Sequence, residues 1–105
     1  MTGQRIFTLA NAVYIRLMTP LGTWWADPTL GSRLHELRRE KDRPRVGKLA
    51  QQYAEQALQR LLDDGRAKKI TITAEQPHNG WLDLHIEIID ATGNPQVFRQ
   101  PVRVI

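Results

Sequence analysis

The chain has no cysteine, only one serine and no long run of apolar residues. Without cysteine, neither disulfides nor thiolate metal sites can form, which is compatible with a reducing cytoplasm. No apolar stretch approaches the roughly 18 residues that span a bilayer. The segment 1–9 also lacks the cationic start and the continuous apolar core of a secretory signal. We therefore expect no membrane partner.

Residues that carry catalysis are equally scarce. Ser32 is not surrounded by a nucleophile-elbow pattern, and the three histidines do not have the spacing of a zinc site. The acid pair Glu36 and Glu40 is best interpreted as part of solvated ion pairs, because a glycosidase needs two carboxylates facing each other across a cleft. The sequence thus predicts a protein that is not an enzyme, with no metal, no cofactor and no small-molecule substrate.

The chain does contain one long amphipathic segment. With 105 residues and 41% apolar content, it supports a single domain, residues 1–105, with one modest core. Apolar residues recur from Val46 to Leu62 with the spacing of one helix face. Pro44 suits the first turn of this helix, and Gly65 suits the left-handed position after its last turn. We predict a helix that ends near Asp64.

The segment before this helix predicts shorter elements. A first helix is expected from about Thr8, a plausible N-cap, to Met18, although the β-forming run 13–15 leaves a strand as the alternative. Pro20 then breaks the pattern, and Ser32 can cap another short helix. The helical part of the chain is therefore expected to cover about residues 8–64.

After Gly65 the apolar period changes from that of a helix to that of a strand. One strand is predicted around 69–73, a hairpin turn at Asn79-Gly80, a second strand over 81–89, a second turn over 90–94 and a third strand over 96–105. Pro101 interrupts the donor pattern of the third strand, which should therefore lie at an edge or contain a bulge.

These elements predict an α+β domain. N-terminal helices, one of them long and amphipathic, should pack on a C-terminal three-strand antiparallel meander spanning about residues 67–105. Such a sheet has two free edges, the strand 68–74 and the strand 96–105. Each edge carries unpaired N–H and C=O groups to which another chain can add a strand.

Two further features concern partners. The formal net charge is +4, and the segment from Arg33 to Lys48 has seven cations against three acids. This segment is either a solvated helix pair with its linker or a surface for phosphate or an acidic protein. The neighbouring Trp24 and Trp25 should point to opposite sides of an extended segment, either closing the core or leaving one ring as an interface anchor. Together with Trp81 and the cations, they allow a second hypothesis, a small basic nucleic-acid-binding module.

Nearly the whole chain, from about residue 8 to its end, resembles a known family. The resemblance rests on an ordered series of segments: Val13-Tyr14-Ile15-Arg16-Leu17-Met18-Thr19-Pro20-Leu21-Gly22, Trp24-Trp25-Ala26-Asp27, Leu30-Gly31-Ser32-Arg33-Leu34, the long helix into Asp64-Gly65-Arg66, and Ile70-Thr71-Ile72. The series resembles the small baseplate wedge proteins of contractile phage tails, the sheath-initiator family. The version found in Mu-like phages and prophages is the most similar.

The resemblance implies an assembly role in the tail baseplate of a virion, for a protein made in the bacterial host cytoplasm. Members of the family lie in the wedges of a hexagonal baseplate beside the central hub and tube. Their sheet is like that of the tail sheath subunit, so the first sheath ring can add strands to it. Some members have been described as lysozyme-like, but this chain offers no credible acid/base pair. We expect a structural protein that links the wedge to the sheath.

The resemblance also suggests two sets of interface residues. Related wedge proteins of type VI secretion baseplates carry Glu-Pro-Arg where the helix meets the first strand, and this chain has Asp64-Gly65-Arg66 at that place. Together with Trp24 and Trp25, this corner is expected to contact the larger wedge subunits. The C-terminal strand is favoured for the sheath contact, through Val97, Arg99, Pro101, Val102, Arg103, Val104 and Ile105.

Overall fold

The computed structural model describes residues 9–26, 29–41 and 43–104, and it confirms an α+β arrangement of helices followed by a three-strand antiparallel sheet. The elements in chain order are helix α1 (Leu9–Met18), a 3-10 helix (Leu34–Arg39), helix α2 (Pro44–Asp63) and strands β1 (Ala67–Glu75), β2 (Trp81–Asp90) and β3 (Pro95–Arg103). Thr8, the predicted N-cap, and Ile105, a predicted edge residue, lie outside the described residues.

Helix α2 has the predicted limits and the predicted buried face. Pro44 occupies its first turn, where a missing N–H costs nothing, and Gly65 follows its end with φ +77°. Its inward side chains are mostly completely buried, and Leu58 and Leu61 are 0% exposed. The helix packs mainly on β1 and covers one face of the sheet.

The sheet has the strand order β1-β2-β3, so that among the described residues β1 and β3 each pair with β2 alone. Even-numbered side chains point to the helices, and they include the apolar centre of the core: Ile72, Leu82, Leu84, Ile86, Ile88, Phe98 and Val102. Pro101 lies on an edge strand, as predicted, opposite Asp83 in an unbroken register. A register shift near the start of β1, between Ala67 and Lys69, marks a bulge.

The turn between β1 and β2 differs in detail from the prediction. The hairpin exists, but its loop covers residues 76–80, and the positive φ angles belong to His78 (+62°) and Gly80 (+92°). Asn79 instead accepts a hydrogen bond on its side chain from the N–H of Trp81, at 3.1 Å. The longer loop places the left-handed residue one position before Asn79, because it is not a two-residue turn.

The N-terminal half lies on the same face of the sheet as α2. Residues 9–18 form a helix, so the strand alternative is wrong, and Val13 and Leu17 are its buried residues. Met18, which shares the predicted apolar face, is 65% exposed because it lies in the last turn. Its Sδ accepts a hydrogen bond from the Gln100 side chain at 3.2 Å, and Tyr14 packs edge-on against Phe98.

A closed loop joins α1 to the 3-10 helix. The N–H of Leu21 donates to Ser32 O and that of Ser32 donates to Thr19 O, both at 2.9 Å, which ties the two ends of the loop together. The Ser32 hydroxyl donates to Leu17 O at 2.7 Å and accepts from the N–H of Leu34 at 3.3 Å. Ser32 therefore contacts the first residue of the 3-10 helix, but the N-cap position is Arg33, which makes no side-chain capping bond, so Ser32 is not the cap that the sequence predicts.

Candidate protein interface

Two hydrogen bonds establish which backbone groups of β3 face outward. The N–H of Asp90 donates to Asn94 O at 3.0 Å, and that of Val104 donates to Gly80 O at 2.9 Å. Both pairs continue the register between β2 and β3. Because bonded and non-bonded pairs alternate along an antiparallel ladder, even-numbered residues of β3 bond to β2 and odd-numbered residues turn their backbone groups to the open edge.

The open edge of β3 therefore comprises Pro95, Val97, Arg99, Pro101 and Arg103. Neither proline has an N–H, so this edge has five carbonyl groups but only three donors, and the Pro101 carbonyl already accepts a bond from the Gln100 side chain at 3.0 Å. The side chains of these residues lie on the sheet face away from the helices, and Val97 is 66% exposed. The face is apolar at Val97 and cationic at Arg99 and Arg103.

The structure gives the predicted sheath residues two different roles. Val97, Arg99, Pro101 and Arg103 lie at the open edge, whereas Val102 and Val104 are 7% and 3% exposed and point their side chains into the core. The two-residue period makes this separation unavoidable, because neighbouring residues of a strand face opposite sides. Val102 and Val104 can influence an edge contact only by holding β3 in place.

The open edge of β1 follows from the same alternation. Strand β2 uses its odd-numbered residues to bond β1, so Lys69, Thr71, Thr73 and Glu75 bond inward to β2. The N–H and C=O groups of Ile70, Ile72 and Ala74 face outward. None of these three residues is a proline, and the side chains of Ile70 and Ala74 are half-buried.

The Asp64-Gly65-Arg66 corner joins α2 to β1, as expected from the sequence. Asp64 is exposed and ends the helix, with its N–H donating to Arg60 O at 2.8 Å. Gly65 provides the left-handed turn, and Arg66 is half-buried. The carboxylate of Asp64 is thus on the surface at the C-terminal end of α2.

The segment between α1 and the 3-10 helix, which carries Trp24 and Trp25, contacts α2 through Thr29. The Arg60 guanidinium, one turn before Asp64, donates to the Thr29 hydroxyl at 3.2 Å. Trp24 is 48% exposed and Trp25 is 89% exposed, so neither ring closes the core. An indole that is almost completely in water is available as an anchor for a partner.

A basic groove separates α1 and the 3-10 helix from the end of β3. It is lined by the guanidinium groups of Arg38 and Arg103, by His35 and the Trp81 ring, and by apolar side chains such as Leu17 and Val102. The Arg103 guanidinium lies over the Trp81 ring at 5.4 Å from its centroid, a cation–π distance. The structure therefore brings part of the basic cluster and Trp81 together, although they belong to different elements of the sequence.

The described residues contain no group of three or more His, Asp or Glu side chains that could hold a metal ion. His85 Nε2 lies 3.3 Å from Glu75 Oε1 on the outer face of the sheet. Glu36 is engaged by Arg33 through two bonds of 3.0 Å, and this pairing lowers the pKa of the Glu36 carboxyl. Within the described part of the chain, no helix is long and apolar enough to cross a membrane.

Comparison with known proteins decides the family. A family model described as phage protein GP46 matches residues 9–95, which is most of the chain. The chain belongs to the phage protein GP46 family. The resemblance to proteins of Mu-like phages and prophages is thereby confirmed, and it extends from the start of α1 to the first residue of β3.

Two relatives of this GP46 chain illustrate the match. The Mu-like prophage FluMu protein gp46 of Haemophilus influenzae is 38% identical over 104 residues, covering 88% of this chain and 77% of the relative. The baseplate protein gp46 of Escherichia phage Mu is 45% identical over 69 residues, covering 62% of this chain. The matched part is about half of the phage Mu protein, 48% of its length.

A solved structure shares the fold of the GP46 chain. A Geobacter sulfurreducens protein described as a tail lysozyme superposes with a TM-score of 0.75, covering 100% of this chain and 93% of that chain. The two sequences are 20% identical, so the likeness concerns the fold alone. It carries no information about catalysis by this GP46 protein.

Sequence reasoning overlooked the second proline of the β3 edge. Pro95 and Pro101 are six positions apart and therefore have the same parity along the strand. If one proline nitrogen points to the open edge, the other does so as well. The sequence contains this signal, but it can be used only when the length and the pairing of β3 are known.

Proposed function

We propose that this GP46 protein is a non-enzymatic structural component of a contractile tail baseplate that links the wedge to the tail sheath. Its place is in the virion tail, beside other wedge subunits and the central hub or tube. The observation that supports this function most directly is the open sheet, in which no second strand from residues 9–26, 29–41 or 43–104 pairs with β1 or β3. The phage Mu relative, a baseplate protein by name, supports the same assignment.

Sheath assembly begins, in this proposal, when a segment of the sheath protein adds as a strand to one free edge. Backbone hydrogen bonds supply the register of such a contact, and alternate side chains supply its specificity. The sheet is well suited to this because its inner face is already covered by helices and its border strands are held in a fixed register.

The wedge contact uses the corner at Asp64-Gly65-Arg66 together with Trp24 and Trp25. Thr29, in the same segment as the two tryptophans, accepts a hydrogen bond from Arg60, one turn before the corner. A partner subunit can form a charged contact with the Asp64 carboxylate and the Arg66 guanidinium, and an apolar contact with the exposed indole of Trp25.

Charge reversal at the corner tests the wedge contact. A phage or prophage carrying Arg66→Glu should produce tails in which this protein is missing from the baseplate, as judged by electron microscopy and by protein composition of purified tails. Lys48→Glu is the matched control. Lys48 is an exposed cation near the start of α2, about 24 Å from Asp64 at 1.5 Å per residue, so its charge lies far from the corner. Equal incorporation of both variants would contradict the proposed corner.

Truncation is a poor test of the sheath contact at β3. Ending the chain after Gln100 would remove Val102 and Val104 from the core, so misassembly would follow from loss of folding alone. Arg99→Pro removes one outward N–H and leaves the core intact, because Arg99 does not bond to β2. Tails with a normal sheath in this variant would count against the β3 edge.

Binding of nucleic acid is a second candidate, favoured by the basic groove with Arg38, Arg103 and the Trp81 ring. Phosphate contacts would make the affinity for a single-stranded oligonucleotide fall by roughly 0.7 log units per log unit of salt for each contact. A gel-shift titration at two salt concentrations tests this. Absence of a shift at low salt would remove the candidate.

A further inference from the structure

The two open edges of the sheet each present three outward N–H groups but differ in whether these follow one another without a gap. The β1 edge offers Ile70, Ile72 and Ala74 in succession, each with an N–H and a C=O directed outward. The β3 edge is interrupted by Pro95 and Pro101, which have no N–H. The uninterrupted part of β1 extends for about 13 Å at 3.3 Å per residue.

This difference affects pairing because an added strand needs alternate donors and acceptors. On β1 it would meet three donors and three acceptors without a gap. On β3 only Val97 and Arg99 are consecutive outward donors, and the ladder would be broken on both sides of this pair. Prolines on an edge strand are a known means of preventing another chain from pairing there.

The first residues of β1 are also protected against pairing with another chain. Lys68 and Lys69 are exposed at the start of the strand, and the bulge between Ala67 and Lys69 distorts the ladder at this point. These features restrict pairing at the first residues of β1, while the segment from Ile70 to Ala74 remains regular.

We propose that the incoming strand pairs with β1 and not with β3. The inference rests on the proposed function, strand addition by the sheath, and identifies the edge and the chemistry of the partner segment. That segment is extended, with apolar side chains on the helix-facing side and at least one carboxylate near Lys68 and Lys69, which complement its charge.

The apolar requirement follows from the surroundings of the edge. Ile70 and Ala74 are half-buried apolar residues packed against the core, and Leu62 of α2 is likewise half-buried and packed against it. Gly47 of α2 lies against Ala74, and Leu62 is only about 60° from Gly47 around the helix at 3.6 residues per turn. An apolar side chain entering between α2 and the edge would complete their burial.

Amide hydrogen exchange on the full-length protein, alone and bound to the tail sheath protein of the same phage or prophage, tests the proposal. In the free protein, the amides of Ile70, Ile72 and Ala74 should exchange faster than those of Thr71 and Thr73, which bond to β2. In the complex, these three amides should become protected by about tenfold or more, and those of Val97, Arg99 and Arg103 should not change.

Matched proline variants provide a second measurement. Ala74→Pro and Arg99→Pro each delete one outward N–H, on β1 and β3 respectively, without removing a bond to β2. Ala74→Pro should weaken sheath binding by about tenfold, and Arg99→Pro should leave it unchanged. Thermal denaturation of each variant shows whether the fold is retained. Lys68→Glu should weaken binding if the partner segment carries the complementary carboxylate.

The outcomes separate this inference from the function on which it rests. Protection of the β1 amides in the complex supports it. Protection of the β3 amides instead would overturn the choice of edge but keep strand addition. A stable complex with neither edge protected would overturn strand addition itself, and failure of the two proteins to associate would overturn the proposed link to the sheath and this inference with it.

Discussion

At the scale of single residues, Asp90 organises the turn between β2 and β3. Its Oδ1 accepts bonds from the Thr92 hydroxyl at 2.6 Å, the Thr92 N–H at 2.9 Å and the Asn94 N–H at 3.0 Å. Its Oδ2 accepts from the Gln96 side chain at 3.0 Å. These bonds, led by the Thr92 hydroxyl, lower the pKa of the Asp90 carboxyl from 3.8 to about 2.

This pKa predicts a pH dependence of stability. A carboxyl with a lower pKa in the folded chain stabilises it above the unfolded pKa, near 4, and that contribution disappears as the pH falls towards 2. Asp90→Asn should therefore reduce the loss of unfolding free energy between pH 4 and pH 2, measured by urea denaturation. Asp63→Asn, on the exposed end of α2, is the control. Identical pH profiles for wild type and Asp90→Asn would contradict the role of this turn.

Gly31 shows how a residue without a side chain limits the loop. Its φ is +117°, and a Cβ at this position would collide with the Thr19 carbonyl oxygen and lie only 3.0 Å from Leu21 N. Glycine is therefore required both by the backbone conformation and by the closeness of the two loop ends. Glycine at this position allows residues 19–21 and 31–32, the two ends of the loop, to lie against each other.

At the scale of elements, helix α2 packs on the sheet through one buried face. The helix is polar on one side and almost entirely buried on the other, so it gains its order from packing more than from intrinsic propensity. Its inner residues meet even-numbered side chains of the strands, all of which point to the same face.

Two leucines of α2 provide a matched test of this packing. Leu58 is 0% exposed, so Leu58→Ala should lower the unfolding free energy by about 2–5 kcal/mol, the usual cost of a leucine cavity. Leu62 is half-buried, and Leu62→Ala should cost clearly less, since less apolar area is removed from the interior. Chemical denaturation of both variants measures the difference. A cost that is equal for the two would mean that the core is not centred on Leu58.

At the scale of the whole molecule, the two proposed contacts use different residues of one small domain. The Asp64-Gly65-Arg66 corner lies between the end of α2 and the start of β1, whereas β3 lies at the other border of the sheet. A wedge subunit at the corner and a sheath strand on β1 would therefore be neighbours, which suits a protein that links the two.

Trp25 distinguishes an interface residue from a core residue. Because its side chain is 89% exposed, Trp25→Ala should change the unfolding free energy by no more than about 0.5 kcal/mol. Incorporation of the variant into baseplates should nevertheless fall sharply, measured by its amount in purified tails. A large loss of stability would show that the ring belongs to the core, and unchanged incorporation would remove Trp25 from the proposed wedge contact.

The local features of the fold could be predicted from the sequence because they depend on near neighbours. Pro44 and Gly65 mark the ends of α2, and the change of apolar period after Gly65 marks the start of the sheet. The hairpin at residues 76–80 was predicted only in part, because the positive φ of His78 depends on the length of a loop that is set by pairing between distant strands.

The sequence by itself determined the order of elements, the two-faced character of α2 and the family, since these follow from periodicity and from residues in series. Only the tertiary structure decided the exposure of Trp25, the placement of Arg38 and Trp81 along one groove, and the different spacing of donors at the two sheet edges. These depend on which residues are brought together from distant positions and on the parity of a hydrogen-bond ladder. Whether the odd or the even residues of an edge strand turn their N–H groups outward depends on how two distant strands pair, so one segment of the chain does not determine it.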